Sequence, residues 1–317
     1  MRYKVLVTPR SLAETFDEPL RTLEDSGHEV IRNPHGRPFT EEELRALIKD
    51  VDGIIVGIDA ISREVIAAAE KLKVISKYGV GVDNIDLQAA RTKGIVVTYT
   101  PGGNSEAVAD LTMGLLLAAA RRIPIADRAV RVGDWRRVVG LAVWKKTIGV
   151  VGVGRIGRGV VRRASGFGMK ILCCDKVIDN EFAARYGAEY VSLDLLLQQS
   201  DFVTLHVPLT EETRGLIGEK ELSRMKRTAI LINTARGEVV DEDALYQALV
   251  ERSIAGAALD VFRNEPPVGS RLLELDNVVL TPHIGAHTDE AILEMGRNAV
   301  RNLMAVLNGE LPEAVAW

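Results

Sequence analysis

Cysteine is nearly absent from this chain. Its 317 residues hold two, Cys173 and Cys174, side by side in an apolar run that reads as a buried strand. Adjacent thiols in a strand fit neither a disulfide framework nor a zinc site, so no metal is expected, and a reducing, cytoplasmic setting is. Neither sign of charge is in excess: 40 Lys and Arg against 44 Asp and Glu leave a formal charge of −4. That balance gives no electrostatic reason to expect a nucleic acid or an anionic membrane as partner. Doublets such as Arg121-Arg122 and Arg136-Arg137 read as solvated faces. Long hydrophobic runs are missing too, and none approaches the roughly 20 residues that span a bilayer. The segment from Met1 to Val7 reads as a first strand, without the apolar core and small-residue cleavage site of a signal peptide. Repeats, low-complexity stretches and long linkers are also lacking.

What is present is a regular alternation. Hydrophobic residues make up 47% of the chain, and the length exceeds one ordinary domain, so two domains are expected. In the first hundred residues, strands are predicted at 3–8, 28–33, 53–57, 74–77 and 95–98. Helices are predicted between them at 19–25, 40–49 and 63–69. Thr40 is the N-cap of the second, with Glu43 completing a capping box, and Ser62 precedes the third. Such alternation argues for a mostly parallel α/β layer. Two glycine corners interrupt it. Residues 77–86 read either as an anion-binding nest around Gly79 and Gly81 or as a strand-to-helix turn capped by Asp83 or Asn84. Residues 100–105 precede a helix over 106–120 that is apolar on most faces, which predicts burial between domains or between subunits.

The centre of the pattern is residues 147–175. A strand at 148–151 ends at Gly152, and Gly152, Gly154 and Gly157 follow at G-x-G-x-x-G spacing. Ile156, Val160, Val161 and Ala164 then recur at helical period, and a strand at 169–174 ends in Asp175. Each part has a physical task in holding a dinucleotide. Gly152 permits the tight turn, Gly154 lets the backbone approach a pyrophosphate, and Gly157 lets helix pack on strand. The helix N-terminus offers free N–H groups and the positive end of its dipole to the phosphates. Asp175 is spaced to accept hydrogen bonds from the ribose hydroxyls, which favours NAD over NADP, although Lys176 follows it.

Beyond Asp175, strands are predicted at 203–206, 229–233, 255–259 and 278–280. Asp241 caps a helix, and a last helix covers 288–307. Asp175, Arg236, Asp260 and His283 stand at strand ends, where open α/β sheets bind ligands. Three groups fit oxidation and reduction at a carbon bearing oxygen. Histidine exchanges protons near neutral pH. A neighbouring carboxylate favours the imidazolium and fixes its tautomer, and arginine binds a carboxylate in bidentate fashion. His283, Glu265 and Arg236 are the candidates. Taken singly, each also reads as a turn residue: a histidine satisfying backbone groups, a solvated loop acid and a surface charge.

With these residues in view, the chain resembles the D-isomer-specific 2-hydroxyacid dehydrogenases, which include D-3-phosphoglycerate dehydrogenases and glyoxylate/hydroxypyruvate reductases. The likeness runs through Tyr78-Gly79-Val80-Gly81-Val82-Asp83-Asn84-Ile85-Asp86, Thr100-Pro101-Gly102-Gly103-Asn104, and the glycine loop closed by Asp175. It continues through His206-Val207-Pro208-Leu209-Thr210, Asn233-Thr234-Ala235-Arg236-Gly237, Asp260-Val261-Phe262 with Glu265-Pro266, and Thr281-Pro282-His283-Ile284-Gly285. The resemblance implies two Rossmann-like, doubly wound parallel-sheet domains. Residues 1–102 with 286–317 would form a split catalytic domain, and residues 103–285 an inserted NAD-binding domain. It implies hydride transfer between NAD(H) and C2 of a D-2-hydroxy acid or 2-oxo acid. His283 would be the general acid/base, Glu265 its partner, and Arg236 the group on the substrate carboxylate, aided by Val80 and Gly81. Arg155, Ile156, Thr234, Ala235, Asp260 and His283 would join Gly152, Gly154, Gly157 and Asp175 at the cofactor, with His206 and Pro208 beside its adenosine. A homodimer built on the helix from Glu106 and the segment around Trp135 and Trp144 is also implied.

One departure bears on the substrate. Phosphoglycerate enzymes commonly carry an arginine just after the third strand, for the substrate phosphate. Here Val56-Gly57-Ile58-Asp59 has no basic residue, and Lys77 or Arg63 would have to substitute. The expectation is therefore a small unphosphorylated 2-oxo acid. D-3-phosphoglycerate dehydrogenase proper is the alternative within the class. An NAD(H)-sensing protein of the C-terminal-binding-protein corepressor kind is the alternative outside it, and oxidation of phosphite is a third reading.

Overall fold

Short apolar runs become strands buried on both faces, as the interior of a parallel sheet requires. In the computed structural model, which describes residues 2–35 and 37–316, these strands form two all-parallel sheets. Met1 and Trp317, the ends of the expected catalytic domain, lie outside the described residues. The chain divides into two units, Met1–Asn104 with Ala286–Trp317, and Ser105–Gly285.

The first unit holds β1 (Lys4–Val7), β2 (Glu29–Arg32), β3 (Gly53–Val56), β4 (Val74–Lys77) and β5 (Val96–Thr98). Their order is β2-β1-β3-β4-β5, so the winding reverses between β1 and β3. The helix Asp289–Leu307 comes from the far end of the chain and covers this sheet. Its Ala299, Val300, Leu303 and Leu307 pack with Val5, Val7, Ile55 and Val74. Gly53 makes room for it, because a Cβ there would stand 3.1 Å from Leu303 Cδ1. The tail then returns to the sheet edge, where Ala316 N–H donates to the Val97 carbonyl at 2.8 Å and Val315 bridges Thr98. The expected capping box of Thr40 and Glu43 is formed. The cap of the helix after residues 77–86 is neither Asp83 nor Asn84. That helix is Leu87–Thr92, and Asp86 caps it by accepting the Ala89 N–H at 2.8 Å. Asp83 and Asn84 instead form a turn, closed by the Ile85 N–H on the Val82 carbonyl at 3.0 Å, and the helix starts only after Ile85, which is buried and bridges Ile61.

The second unit holds β6 (Thr147–Val151), β7 (Lys170–Cys174), β8 (Ala188–Tyr190), β9 (Phe202–Leu205), β10 (Ile230–Asn233), β11 (Gly256–Leu259) and β12 (Val278–Leu280). The order is β12-β11-β10-β9-β6-β7-β8, which is doubly wound with its switch point between β6 and β9. The apolar helix Ser105–Arg121, expected to be buried between domains or between subunits, has partners inside one unit. It packs within its own unit, on the helix Arg155–Gly166 and on β10, β11 and β12. Ala109, Met113, Leu116 and Ala120 share a core with Ile148, Val160 and Ala258. Gly159 permits this approach, since a Cβ on it would stand 2.9 Å from Ala109 Cβ. The helix is apolar on so many faces because a sheet and a second helix both cover it. Among the described residues no helix is long and apolar enough to cross a membrane.

Candidate active site

The carboxyl ends of the second unit's strands carry the candidate groups. Gly152 turns the chain out of β6 at φ +90°. Its missing side chain is required, because a Cβ would meet the His206 carbonyl at 2.7 Å. At Gly157 a Cβ would lie 2.0 Å from the Gly152 oxygen, so helix and turn touch there. Gly154 differs. It is the N-cap of the helix Arg155–Gly166 with ordinary φ and no side-chain cap, and a Cβ on it would meet nothing within 4 Å. Neither backbone conformation nor packing demands glycine at that position. The open space over an uncapped helix N-terminus fits an anion such as a pyrophosphate. Asp175, at the end of β7, is held rigidly beside the loop. Its carboxylate accepts the Val153 N–H at 2.6 Å and the Val177 N–H at 2.9 Å. Arg155 is exposed and Ile156 half-buried at the start of the helix. Lys176 is paired with Glu212.

His206 follows β9. Its Nε2 lies 3.0 Å from Thr204 Oγ1, and its Nδ1 is enclosed with no partner among the described residues. Burial pushes this imidazole down to about 3, so the ring is neutral and faces its own strand. Pro208 is exposed, and its carbonyl accepts the Thr213 hydroxyl at 2.6 Å.

The turn after β10 is built by Asn233, which the sequence reading did not single out. Its side chain accepts the Ala235 N–H at 3.0 Å and donates to the Arg236 carbonyl at 2.8 Å. An asparagine closing a strand before a turn is the available signal for such a role. Thr234 is buried, with its hydroxyl 2.9 Å from that of Thr112. Arg236 donates from Nη1 to the Ala235 carbonyl at 2.7 Å. Gly237 then abuts the next strand-end loop, and a Cβ there would fall 1.9 Å from the Phe262 carbonyl carbon. This close approach sets the arginine turn against the loop that carries Glu265.

Asp260, after β11, is 1% exposed. It accepts the Thr281 hydroxyl at 2.6 Å and the N–H groups of Ile284 and Gly285, each at 2.8 Å. Its carbonyl accepts the His283 N–H at 2.9 Å. His283 has φ +53°, a left-handed conformation that a side chain rarely takes without support. Asp260 supplies that support by tying down both sides of the turn. His283 Nδ1 then lies 2.6 Å from Glu265 Oε2, while Glu265 Oε1 accepts the Phe262 N–H at 3.1 Å. Burial pushes the Glu265 carboxyl up. The hydrogen bond and charge of His283, the Phe262 N–H and the charge of Arg236 outweigh it and hold the group below the usual carboxylate range. With Nδ1 turned to the carboxylate, Nε2 is the ring atom left for proton exchange.

The first unit carries Val80 and Gly81 in the turn after β4. Gly79 has φ +137° and is held through Thr100, whose Oγ1 accepts the Gly79 N–H at 2.9 Å. The N–H groups of Val80 and Gly81 donate to no described group, which is the arrangement of an anion-binding nest. Among the described residues, no cluster of three or more His, Cys, Asp or Glu could hold a metal ion.

Comparison with known proteins adds three findings. A family model described as "D-isomer specific 2-hydroxyacid dehydrogenase, NAD binding domain" matches residues 113–285. The chain is 50% identical over 283 residues to a glyoxylate reductase of Korarchaeum cryptofilum, covering 87% of this chain and 85% of that one. It is 46% identical over 316 residues to a D-3-phosphoglycerate dehydrogenase of Methanocaldococcus jannaschii. That match covers 98% of this chain, which spans 59% of the relative's length. Among solved structures, the TT0316 protein of Thermus thermophilus superposes with a TM-score of 0.90 at 41% identity, over 99% of this chain and 100% of that one.

Proposed function

The chain belongs to the D-isomer-specific 2-hydroxyacid dehydrogenase family, and from that premise we propose that it reduces a small unphosphorylated 2-oxo acid to the D-2-hydroxy acid with NADH. The observation that carries this reading is the His283–Glu265 pair, 2.6 Å apart and within the field of Arg236, at the strand ends of a dinucleotide-type sheet. The nicotinamide, when bound, supplies the hydride. Gly152, Gly154, Gly157 and the N–H groups at Arg155 and Ile156 hold its pyrophosphate, and Asp175 its ribose. Thr234, Ala235, Asp260, His206, Pro208 and His283 line the remainder of the cofactor site. Arg236 binds the carboxylate and polarises the carbonyl, and the Val80 and Gly81 N–H groups form a nest that suits a carboxylate. His283 gives its Nε2 proton to the carbonyl oxygen. Glu265 orients the ring and balances its charge.

The absence of a phosphate anchor is supported at the end of β3. Ile58 is the exposed residue there. Lys77 is 8% exposed, and its ammonium is bonded to the Gly57 carbonyl and to Asn84. Arg63 lies 3.5 Å from Asp86. NADH oxidation against glyoxylate, hydroxypyruvate, pyruvate, larger 2-oxo acids and 3-phosphohydroxypyruvate tests the proposal. Turnover of an unphosphorylated acid supports it, and preference for the phosphorylated one removes the substrate assignment. Tight NADH binding without turnover of any of these acids favours the NAD(H)-sensing reading and a substrate outside the panel alike.

NAD preference follows from Asp175, whose fixed carboxylate repels a 2′-phosphate. Asp175→Ala is expected to lower the preference for NADH over NADPH, measured as the ratio of their dissociation constants, roughly tenfold or more. An unchanged ratio takes the role away from Asp175.

A homodimer is part of the proposal. Val132, Trp135, Val139 and Trp144 are exposed on the segment after the helix Ile123–Arg131, Trp135 to 82%. Such an apolar stretch is the kind of surface a second copy covers. The chain is expected to sediment as a dimer that Trp135→Lys weakens, and a monomeric wild type rules it out. A cytoplasmic setting suits the two free thiols, and cell fractionation checks it.

A further inference from the structure

A second polar cluster lies in the first unit, at the carboxyl ends of β1, β3 and β4 around that sheet's own switch point. Lys77 closes β4, and its stem runs beneath the next turn: a Cβ on Gly79 would stand 3.7 Å from Lys77 Cε. The ammonium donates to the Gly57 carbonyl at 2.5 Å and to Asn84 Oδ1 at 2.7 Å. Asn84 donates in turn to the carbonyls of Gly57 and Asp59, at 3.1 and 2.6 Å. Asp59 is buried, where its carboxylate accepts the Phe39 N–H at 2.8 Å and the Thr8 hydroxyl. Thr8 Oγ1 accepts the Gly57 N–H at 3.1 Å. The residues that open and close the 78–83 turn are thus joined side chain to side chain, and both are anchored to the end of β3.

Burying an ammonium costs free energy unless it is hydrogen-bonded, and an apolar side chain of similar length packs without that cost. What the lysine adds is a fixed span between β4 and Asn84, with positive charge under a turn whose central N–H groups are free. A receptor whose shape is set before binding loses less on binding its anion.

We propose that Lys77 and Asn84 form a clasp that holds residues 78–83 in the shape in which the Val80 and Gly81 N–H groups bind the substrate carboxylate. Both are positioning residues, and the proposal rests on the reading of Val80 and Gly81 given above.

The test uses the full chain and the variants Lys77→Met, Asn84→Ala and Val80→Pro. KM for glyoxylate, the inhibition constant of oxamate, kcat and the NADH dissociation constant are measured for each. In both clasp variants KM and the oxamate constant rise together, roughly tenfold or more, the scale of one lost charge-assisted hydrogen bond. In the same variants kcat falls less, and NADH binding stays within about twofold of wild type because the glycine loop belongs to the other unit. Should Lys77→Met fail to fold, Asn84→Ala carries the test from the more exposed end of the clasp. Val80→Pro removes one N–H of the turn. If it raises KM while the clasp variants leave KM and the oxamate constant unchanged, the clasp is overturned and the carboxylate reading stands. If Val80→Pro itself leaves KM unchanged, the carboxylate reading falls, and the clasp with it.

Discussion

His283→Ala is expected to lower turnover by ~10²–10⁴, the range supplied by a positioned general acid. NADH binding should change little, because the glycine loop and Asp175 stand on β6 and β7 and keep their bonds without the imidazole. A stopped-flow measurement of NADH oxidation with a fluorescence titration of NADH separates the two quantities. Near-normal turnover in the variant would remove His283 from the chemistry. Loss of NADH binding in parallel with turnover would mean that the ring holds the cofactor instead of passing the proton. The left-handed backbone at φ +53° sharpens the experiment. Asp260 fixes the turn through its neighbours, so alanine leaves that clamp in place and the loss reports the side chain.

Glu265→Gln has the second largest expected effect, and it appears in the pH profile as well as in the rate. Glu265 titrates below the usual 4.5, so its carboxylate is charged throughout the neutral range. The stabilisation it gives is present above that ordinary value and is lost as pH falls through the lower folded one. Glutamine keeps the shape and can still meet the Phe262 N–H, but it removes the negative charge 2.6 Å from the imidazole. The neutral ring is then favoured, and the alkaline limb of the reduction profile moves to lower pH by about one unit. The side chains are 39% and 31% exposed, so solvent moderates the coupling. Reduction rates from about pH 5 to 9 decide the matter, and an unmoved limb would show that the two residues titrate independently.

Much of this architecture can be read from local patterns. Buried parallel strands such as Ile54-Ile55-Val56 are continuous apolar runs, and the Thr40-Glu43 capping box announces its helix. The glycine spacing marks β6 and the helix after it, because a tight turn, a close helix contact and an open anion site each favour glycine. The cap at Asp86 was not legible. Asp83, Asn84 and Asp86 are equally good caps by type. The choice is made by the burial of Ile85 and by the bond between Asn84 and Lys77, which folds the intervening turn back on the end of β4. What packs on the helix Ser105–Arg121 within its own unit was not legible for a similar reason. An apolar surface shows that something covers it without saying what. The helix Ile123–Arg131 went unseen, having no buried face in its own chain, and the three residues of β8 are too short for any period. In the site, the types of Arg236, Glu265 and His283 suggest their chemistry. Their meeting depends on Asn233, Gly237 and Asp260, whose contacts cross from one strand-end loop to the next.

The interrupted course of the chain through its first unit has a consequence for biosynthesis. A ribosome delivers β1 to β5 first, then the 181 residues of Ser105–Gly285, and only afterwards the helix that shields Val5, Val7, Ile55 and Val74. At ~5–20 residues per second that interval lasts roughly ten to forty seconds. Throughout it, one apolar flank of the nascent sheet has Leu12, Leu20 and Leu23 against it but lacks the cover of the last helix. The inserted unit holds a complete core from the moment it emerges and matures early, while the portion translated first is the last to finish.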